Sequence, residues 1–404
     1  MENWKECKLG DIADITMGQS PESSYYNSNK QGMPFLQGNR TFGFKYPVFD
    51  TYTTYVTKEA QKDDVIMSVR APVGELNIAP ENLCLGRGVC SIRMKNGEQL
   101  FLYYLMKANQ KQLLNKENGT VFGSVNRNDI SNLTVKIPSQ NIQKKISLIL
   151  STLDDKIELN NKINYNLEQQ AQVIFKSWFV DFEPFGGEMP ADWRVGKLSE
   201  LIEYTINGDW GKDELSGTNT EEVFCIRGAD IPEVKIGNKG KMPIRYILPK
   251  NYQQKKLEDG DLVIEISGGS PTQSTGRVAY ISNALLERYN NKIVCTNFCK
   301  AVKPQKQYSM YVYYMWQYLY NHNVFFTYEN GTTGIKNLDM SGILGNEEIV
   351  IPNHEYLSKF NNYCKSVFDS IFSNGAQTEK LAFLRDTLLP KLMSGEIDVD
   401  SVQL

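Results

Sequence analysis

From Ser139 to Phe182 the chain runs without a proline or a glycine, which no loop of that length would do. Apolar residues recur at Ile142, Ile146, Ile149, Leu153, Ile157, Ile163, Leu167, Ala171, Ile174 and Trp178. They lie mostly three or four apart, the spacing that lines them along one face of a long helix. At about 1.5 Å per residue such a helix spans on the order of 60 Å. An apolar stripe of that length needs a partner. Tyr356 to Leu392 supplies one, with Tyr356, Phe360, Val367, Ile371, Leu381, Leu384, Leu388 and Leu392 at similar intervals. The pair is spacer-sized, and the rest of the chain has to say what it separates.

Comparing the chain with itself answers that, because it contains a long internal repeat. Trp4-Lys-Glu-Cys-Lys8-Leu9 resembles Trp193-Arg-Val-Gly-Lys197-Leu198, and Pro34-Phe-Leu-Gln37-Gly38-Asn39 resembles Val223-Phe-Cys-Ile-Arg227-Gly228-Ala-Asp230. Asp63-Asp-Val-Ile-Met-Ser68 resembles Gly260-Asp-Leu-Val-Ile-Glu-Ile-Ser267, and Phe101-Leu-Tyr-Tyr-Leu-Met106 resembles Met310-Tyr-Val-Tyr-Tyr-Met-Trp316. Each unit closes alike: Asn118-Gly-Thr120, Asp129-Ile-Ser131 and Val135-Lys-Ile-Pro138 against Asn330-Gly-Thr332, Asp339-Met-Ser341 and Ile349-Val-Ile-Pro352. The second unit is roughly twenty residues longer, an amount that surface loops absorb.

The implied order is a first globular unit over 1–139, a long helix over 140–182, a Pro/Gly-rich connector over 183–192, a second unit over 193–353, a second long helix over 354–394, and a tail over 395–404. Within each unit, short β-rich runs (Val65 to Val69, Val89 to Met94, Leu262 to Ile266, Val278 to Ile281) alternate with Gly, Pro, Asn and Ser clusters. Helices are expected at Leu100 to Leu114 and Tyr308 to Asn321. The fold class is therefore α+β: two tandem mixed α/β domains, mainly β, joined by two long helices. Pairing those helices antiparallel satisfies both stripes and gives the chain pseudo-two-fold symmetry. Duplex DNA has local two-fold axes of its own, and two related but unequal modules suit a bipartite, non-palindromic site.

Other chemistries find little support. Seven cysteines form an odd set with no CxxC pair, so they read as buried thiols, and two histidines are too few for His-based zinc sites or hydrolytic triads. No Walker A, GxGxxG or HExxH motif is present. Asp154-Asp155 reads as a solvated helix face. No run of eighteen apolar residues occurs, and MENWKECKLGD has no apolar signal core, which points to a soluble, cytoplasmic protein with no membrane contact. The net charge of -3 does not describe a basic surface, so any nucleic-acid contact has to be local or shared with basic partners.

Over nearly its full length the chain resembles the specificity subunits of type I restriction-modification systems. The resemblance is carried by the tandem Trp...Lys-Leu openings, by Met67-Ser-Val-Arg70-Ala-Pro-Val-Gly74-Glu-Leu-Asn-Ile-Ala79, and by Asn330-Gly-Thr-Thr-Gly-Ile-Lys-Asn337-Leu-Asp339. The Ile-Pro before each helix and Leu388-Leu-Pro-Lys-Leu-Met-Ser-Gly-Glu-Ile397 complete the ordered set. It implies two target-recognition domains, each reading one half of a split site in double-stranded DNA, with the helices packed as an antiparallel coiled coil. It also implies partners: two methyltransferase subunits that use S-adenosylmethionine to methylate adenine at N6, and restriction subunits that use ATP and Mg. The chain itself would bind no cofactor or metal and catalyse nothing. The rival reading, a coiled-coil scaffold with two protein-binding modules and no nucleic acid, draws on the acidic net charge.

Bases are read by Arg, Lys, Asn and Gln at groove edges, and phosphates are held by cations, hydroxyls and backbone amides. Loops that follow strands and carry these types are the candidate contacts. In the first unit they are Gln37, Asn39, Arg40, Arg70, Arg87, Asn126 and Arg127. In the second they are Arg227, Asp230, Ser270, Thr272, Gln273, Arg277, Lys336 and Asn337. The tyrosines at 311, 313, 314, 318 and 320 fall at helical spacing and read as core rather than as base-stacking rings.

Overall fold

A computed structural model describes residues 4–114, 123–268, 270, 273–331 and 335–399. The Asn118-Gly-Thr120 repeat piece, Thr272 and Thr332 lie outside the described residues. The chain divides into two compact units, 1–158 with 381–404, and 159–380. The two long helices span Gln140–Phe179 and His354–Ser394. The first ends before residue 182 because Phe182 turns into the left-handed region and a short 3-10 turn, Glu183–Phe185, follows.

In the first unit a four-stranded antiparallel sheet runs Ala13–Met17, Val89–Met94, Val65–Ser68, Leu76–Ile78 in spatial order. Val65–Ser68 is buried throughout, which is why it reads as a continuous apolar run rather than an alternating one. A smaller sheet places Met33–Leu36 parallel to Leu83–Leu85. The opening strand Lys5–Lys8 pairs with Thr134–Ile137, the strand that leads into the long helix. Helix Gln99–Ala108 buries every residue from Phe101 to Met106. Its core continues onto the long-helix residues Ile142, Ile146, Ile149 and Leu150, and onto Leu389, Leu392 and Met393.

The second unit repeats this topology. Its sheet runs Ile202–Asn207, Cys299–Pro304, Leu262–Glu265, Val278–Tyr280, and Glu221–Ile226 lies parallel to Ile293–Cys295. Arg194–Lys197 pairs with Glu348–Ile351. Helix Ser309–Asn321 buries Tyr311, Tyr313 and Tyr314, as expected of core residues, while Tyr318 and Tyr320 are only partly buried, and Tyr313 and Tyr314 donate to Glu168 on the central helix (3.2 and 3.1 Å). The sequence repeat is thus a repeat of strand order. One local equivalence changes. The hydrogen bonds Val125 N–H to Val69 C=O and Leu338 N–H to Ile266 C=O make Asn126, not Asp129, the counterpart of Asp339. Both cap the helix that follows.

Within the second unit the long helices run antiparallel: Asn164 donates to the Ile371 carbonyl (2.9 Å), the Phe175 ring lies 5.8 Å from that of Phe360, and Trp178 lies 5.8 Å from Tyr356. Two stripe positions depart from expectation, since Ile163 and Leu384 are exposed while Asn160 and Asn164 are fully buried. The asparagines form a polar layer, Asn160 donating to Gln377 (2.8 Å) and Asn374 to Asn164 (2.9 Å). Such layers cost stability and set helix register. Asp154 does not sit on a solvated face either. It is 1% exposed and bonded to Arg385 and Tyr104 (2.7 Å each) in the first unit.

All seven cysteines are free, and burial pushes the thiols of Cys90, Cys295 and Cys299 up to about 12. Among the described residues no helix is long and apolar enough to cross a membrane.

Candidate nucleic-acid interface

The first unit gathers its candidate residues through backbone hydrogen bonds between loops. Gly86 donates to Leu36 C=O (2.9 Å), Gly88 to Gln37 C=O (3.0 Å), Val69 to Gly88 C=O (2.9 Å) and Val125 to Val69 C=O (3.1 Å). These bonds place Gln37, Arg70, Arg87, Asn126 and Arg127 along one edge. Arg70, Arg87 and Arg127 are exposed, and among the described residues no side-chain hydrogen bond or ion pair engages any of them. Three uncommitted guanidinium groups on one edge make a local positive surface on a chain whose net charge is negative.

Gln37, Asn39 and Arg40 line a cleft of about 250 Å³ together with Asp50. Asn39 donates to Glu75 (2.6 Å) and Arg40 pairs with Asp50 (2.7 Å). The Arg40 and Thr51 hydrogen bonds hold the Asp50 carboxyl below the usual carboxylate range. Arg40 is thus neutralised in place, and Asn126 uses its side-chain oxygen to cap helix Arg127–Ser131.

The second unit has the same frame. Asp209 donates to Cys295 C=O (2.8 Å) as Gln19 does to Leu85 (2.9 Å), Thr296 to Ile226 C=O (3.0 Å), Ile266 to Phe298 C=O (2.9 Å) and Leu338 to Ile266 C=O (2.9 Å). Arg227 therefore stands where Gln37 does, and Ser267 where Arg70 does. The crossing is tight in both units: a Cβ at Gly18 would collide with the Gly86 carbonyl oxygen, and one at Gly208 with that of Thr296. Gly208→Ala is expected to cost about 1–3 kcal/mol, because rigid backbone rather than a side chain must move. A thermal melt indistinguishable from that of the wild type would contradict this.

The charge of the second edge is spent internally. Arg227 donates twice to Asp230 (2.9 and 3.1 Å) and once to the Lys241 carbonyl (2.7 Å). Asp230 is 2% exposed. Burial pushes its carboxyl up, but hydrogen bonds from Arg227 and from the Lys241 and Arg227 amides outweigh that and leave it below the usual range. Asp230 is thus buried and committed to anchoring Arg227. Arg277 makes a two-point pair with Glu265 (2.8 and 2.6 Å), and Lys336 pairs with Glu329 (2.6 Å). Asn337 accepts from the Ser267 hydroxyl. Ser270 and Gln273 bridge each other through their backbones, and Gln273 also donates to Tyr320 (3.4 Å).

Two exposed residues at this edge, Asn297 and Phe298, are not singled out by sequence pattern. Aligning Leu83-Cys-Leu85 with Ile293-Val-Cys295 would have exposed them as the counterparts of Arg87 and Gly88. Among the described residues, no group of three or more His, Cys, Asp or Glu is placed to hold a metal ion.

A family model for the type I restriction modification DNA specificity domain matches residues 1–169. The chain is 25% identical over 438 residues to the MjaIX type I restriction enzyme specificity subunit of Methanocaldococcus jannaschii, covering 99% of this chain and 95% of that one. It is 36% identical over 177 residues to the putative MjaX specificity subunit of the same organism, covering 43% and 42%. The crystal structure of a type I restriction-modification S subunit from M. genitalium shares the fold, with a TM-score of 0.56 at 16% identity over 97% of this chain and 96% of that one. Four-stranded sheets of matching strand order, two long helices and similarity over nearly the full length to the MjaIX subunit agree: residues 1–169 match the type I restriction modification DNA specificity domain, and the chain as a whole is similar to the specificity subunits of type I restriction-modification systems.

Proposed function

We propose that the chain reads a bipartite, non-palindromic site in double-stranded DNA, one half with each unit, and catalyses nothing itself. One observation carries this reading: the two units present the same loop edge on the same hydrogen-bonded frame, yet fill it with different side chains. Equal frames with unequal edges suit two different half-sites. The helix pair would hold the halves at a fixed separation. Two methyltransferase subunits, using S-adenosylmethionine, would dock on the chain and flip one adenine per half-site out of the stack. Restriction subunits driven by ATP and Mg would complete the assembly.

The electrostatics support the division of labour. Arg70, Arg87 and Arg127 supply local positive charge in the first unit. In the second, Arg227, Arg277 and Lys336 are held by carboxylates, so its affinity leans on uncharged contacts and on basic partners. Binding of fluorescent cognate duplex by the chain with its methyltransferase subunits tests the reading. A log–log plot of affinity against salt with a clearly negative slope is expected. A slope of zero and no preference over a scrambled duplex would instead fit a protein scaffold.

A further inference from the structure

The second edge carries a side-chain chemistry that its fold does not require. Asn297 and Phe298 stand where the first unit has Arg87 and Gly88. The register rests on matched backbone bonds: Gly86 to Leu36 with Thr296 to Ile226, and Val69 to Gly88 with Ile266 to Phe298. Asn297 is exposed, and its amide has no partner among the described residues. Phe298 is 61% exposed, and the Asn297-Phe298 pair is flanked by buried residues, Thr296 at 2% and Cys299 at 0%. The Phe298 carbonyl accepts from the Ile266 and Ser267 amides (2.9 and 3.2 Å), so the ring stands outward from a hydrogen-bonded backbone, and it belongs to no apolar cluster among the described residues. Trp210, where the first unit has Ser20, adds a second partly exposed ring, steadied by Arg245 4.1 Å from its centroid.

Groove chemistry separates the two edges. A guanidinium matches O6 and N7 of guanine, a carboxamide matches N6 and N7 of adenine, and an apolar ring packs on the thymine methyl. Neighbouring Asn and Phe side chains thus present partners for the adenine N6/N7 edge and the thymine methyl that an A·T pair displays in the major groove. Arg87, at the corresponding place, presents the group suited to guanine, and among the described residues no carboxylate engages it.

We propose that the second unit reads an A·T position through Asn297 and Phe298, and that the first reads a guanine at the corresponding position through Arg87. The proposal rests on the DNA-reading function above and names its chemistry at one position in each half.

Mapping N6-methyladenine in host DNA tests it, with assembled complexes carrying wild-type chain, Asn297→Arg or Phe298→Ala. In Asn297→Arg, one A·T position in one half-site should turn to guanine, with methylation of the original motif falling about five- to a hundredfold. Phe298→Ala should relax the thymine requirement in that same half. The other half-site should stay unchanged in both. If Asn297→Arg and Phe298→Ala both keep the original motif at the original rate, the base assignment is overturned while DNA reading stands. A wild-type complex with no split motif overturns both. Both side chains are exposed, so the variants should melt with the wild type.

Discussion

Replacing Arg385 by alanine should destabilise the first unit by about 3–5 kcal/mol, the cost of stranding a buried charge. Arg385 Nη1 lies 2.7 Å from Asp154 Oδ1, and both side chains are buried, at 10% and 2% exposure. The carboxylate's other oxygen accepts from Tyr104 (2.7 Å), whose phenol burial and the Asp154 charge push well above its usual range. Burial, and then the Arg385 charge, hold the nearby Lys107 ammonium below its usual range. With Arg385 gone, Asp154 keeps, among the described residues, a single neutral donor, Tyr104. The double variant Asp154→Leu/Arg385→Met should recover most of the loss, since an apolar pair of similar volume removes the desolvation cost as well as the attraction. Urea unfolding followed by circular dichroism measures both. An Arg385→Ala midpoint equal to wild type would show that the pair contributes nothing.

Exchanging Arg70, Arg87 and Arg127 together for alanine should have the opposite profile: little change in stability and a large loss of DNA affinity. All three are exposed and unpaired among the described residues, so surface-level effects within about 0.5 kcal/mol are expected on unfolding. Every arginine that neutralises a phosphate should, when removed, flatten the log–log salt slope by about 0.9. An arginine that reads a base edge should instead cost about 1–3 kcal/mol of discrimination when removed. Arg227→Ala is not an equivalent test in the second unit, because it would leave the Asp230 carboxylate buried without its cation. That variant should lower stability as well as binding, and comparing the two separates reading from folding. Unchanged affinity in the triple variant would remove the first edge from the interface.

The parts of this architecture that are legible in the sequence are those written in local pattern. The apolar spacing of Ile142 to Trp178 and the closing Ile-Pro of each unit locate both helices and the repeat, because periodicity and punctuation are properties of neighbouring residues. Chain-distant pairings leave no such trace. Asp154 reads as one more acid on a helix until Arg385 is brought against it, and Asn160 and Asn164 sit in the buried seam only because Asn374 and Gln377 meet them there. The candidate interface is half visible for the same reason. Strand-end cations stand out in the sequence, but whether each is free or spent depends on a carboxylate: Glu265 for Arg277, Glu329 for Lys336, and, among the described residues, none for Arg70. Asn297 and Phe298 do not stand out, because neither type is distinctive alone. Their meaning comes from the register that aligns them with Arg87 and Gly88.

Sequencing N6-methyladenine across the genome of a host that expresses the methyltransferase subunits, with and without this chain, tests the central claim most directly. With the chain present, methylation should concentrate at two short, different motifs separated by a fixed number of unspecified base pairs, and without it that pattern should vanish. Methylation that is identical in both hosts, or confined to a single continuous motif, would contradict the claim that two unequal units read a split site.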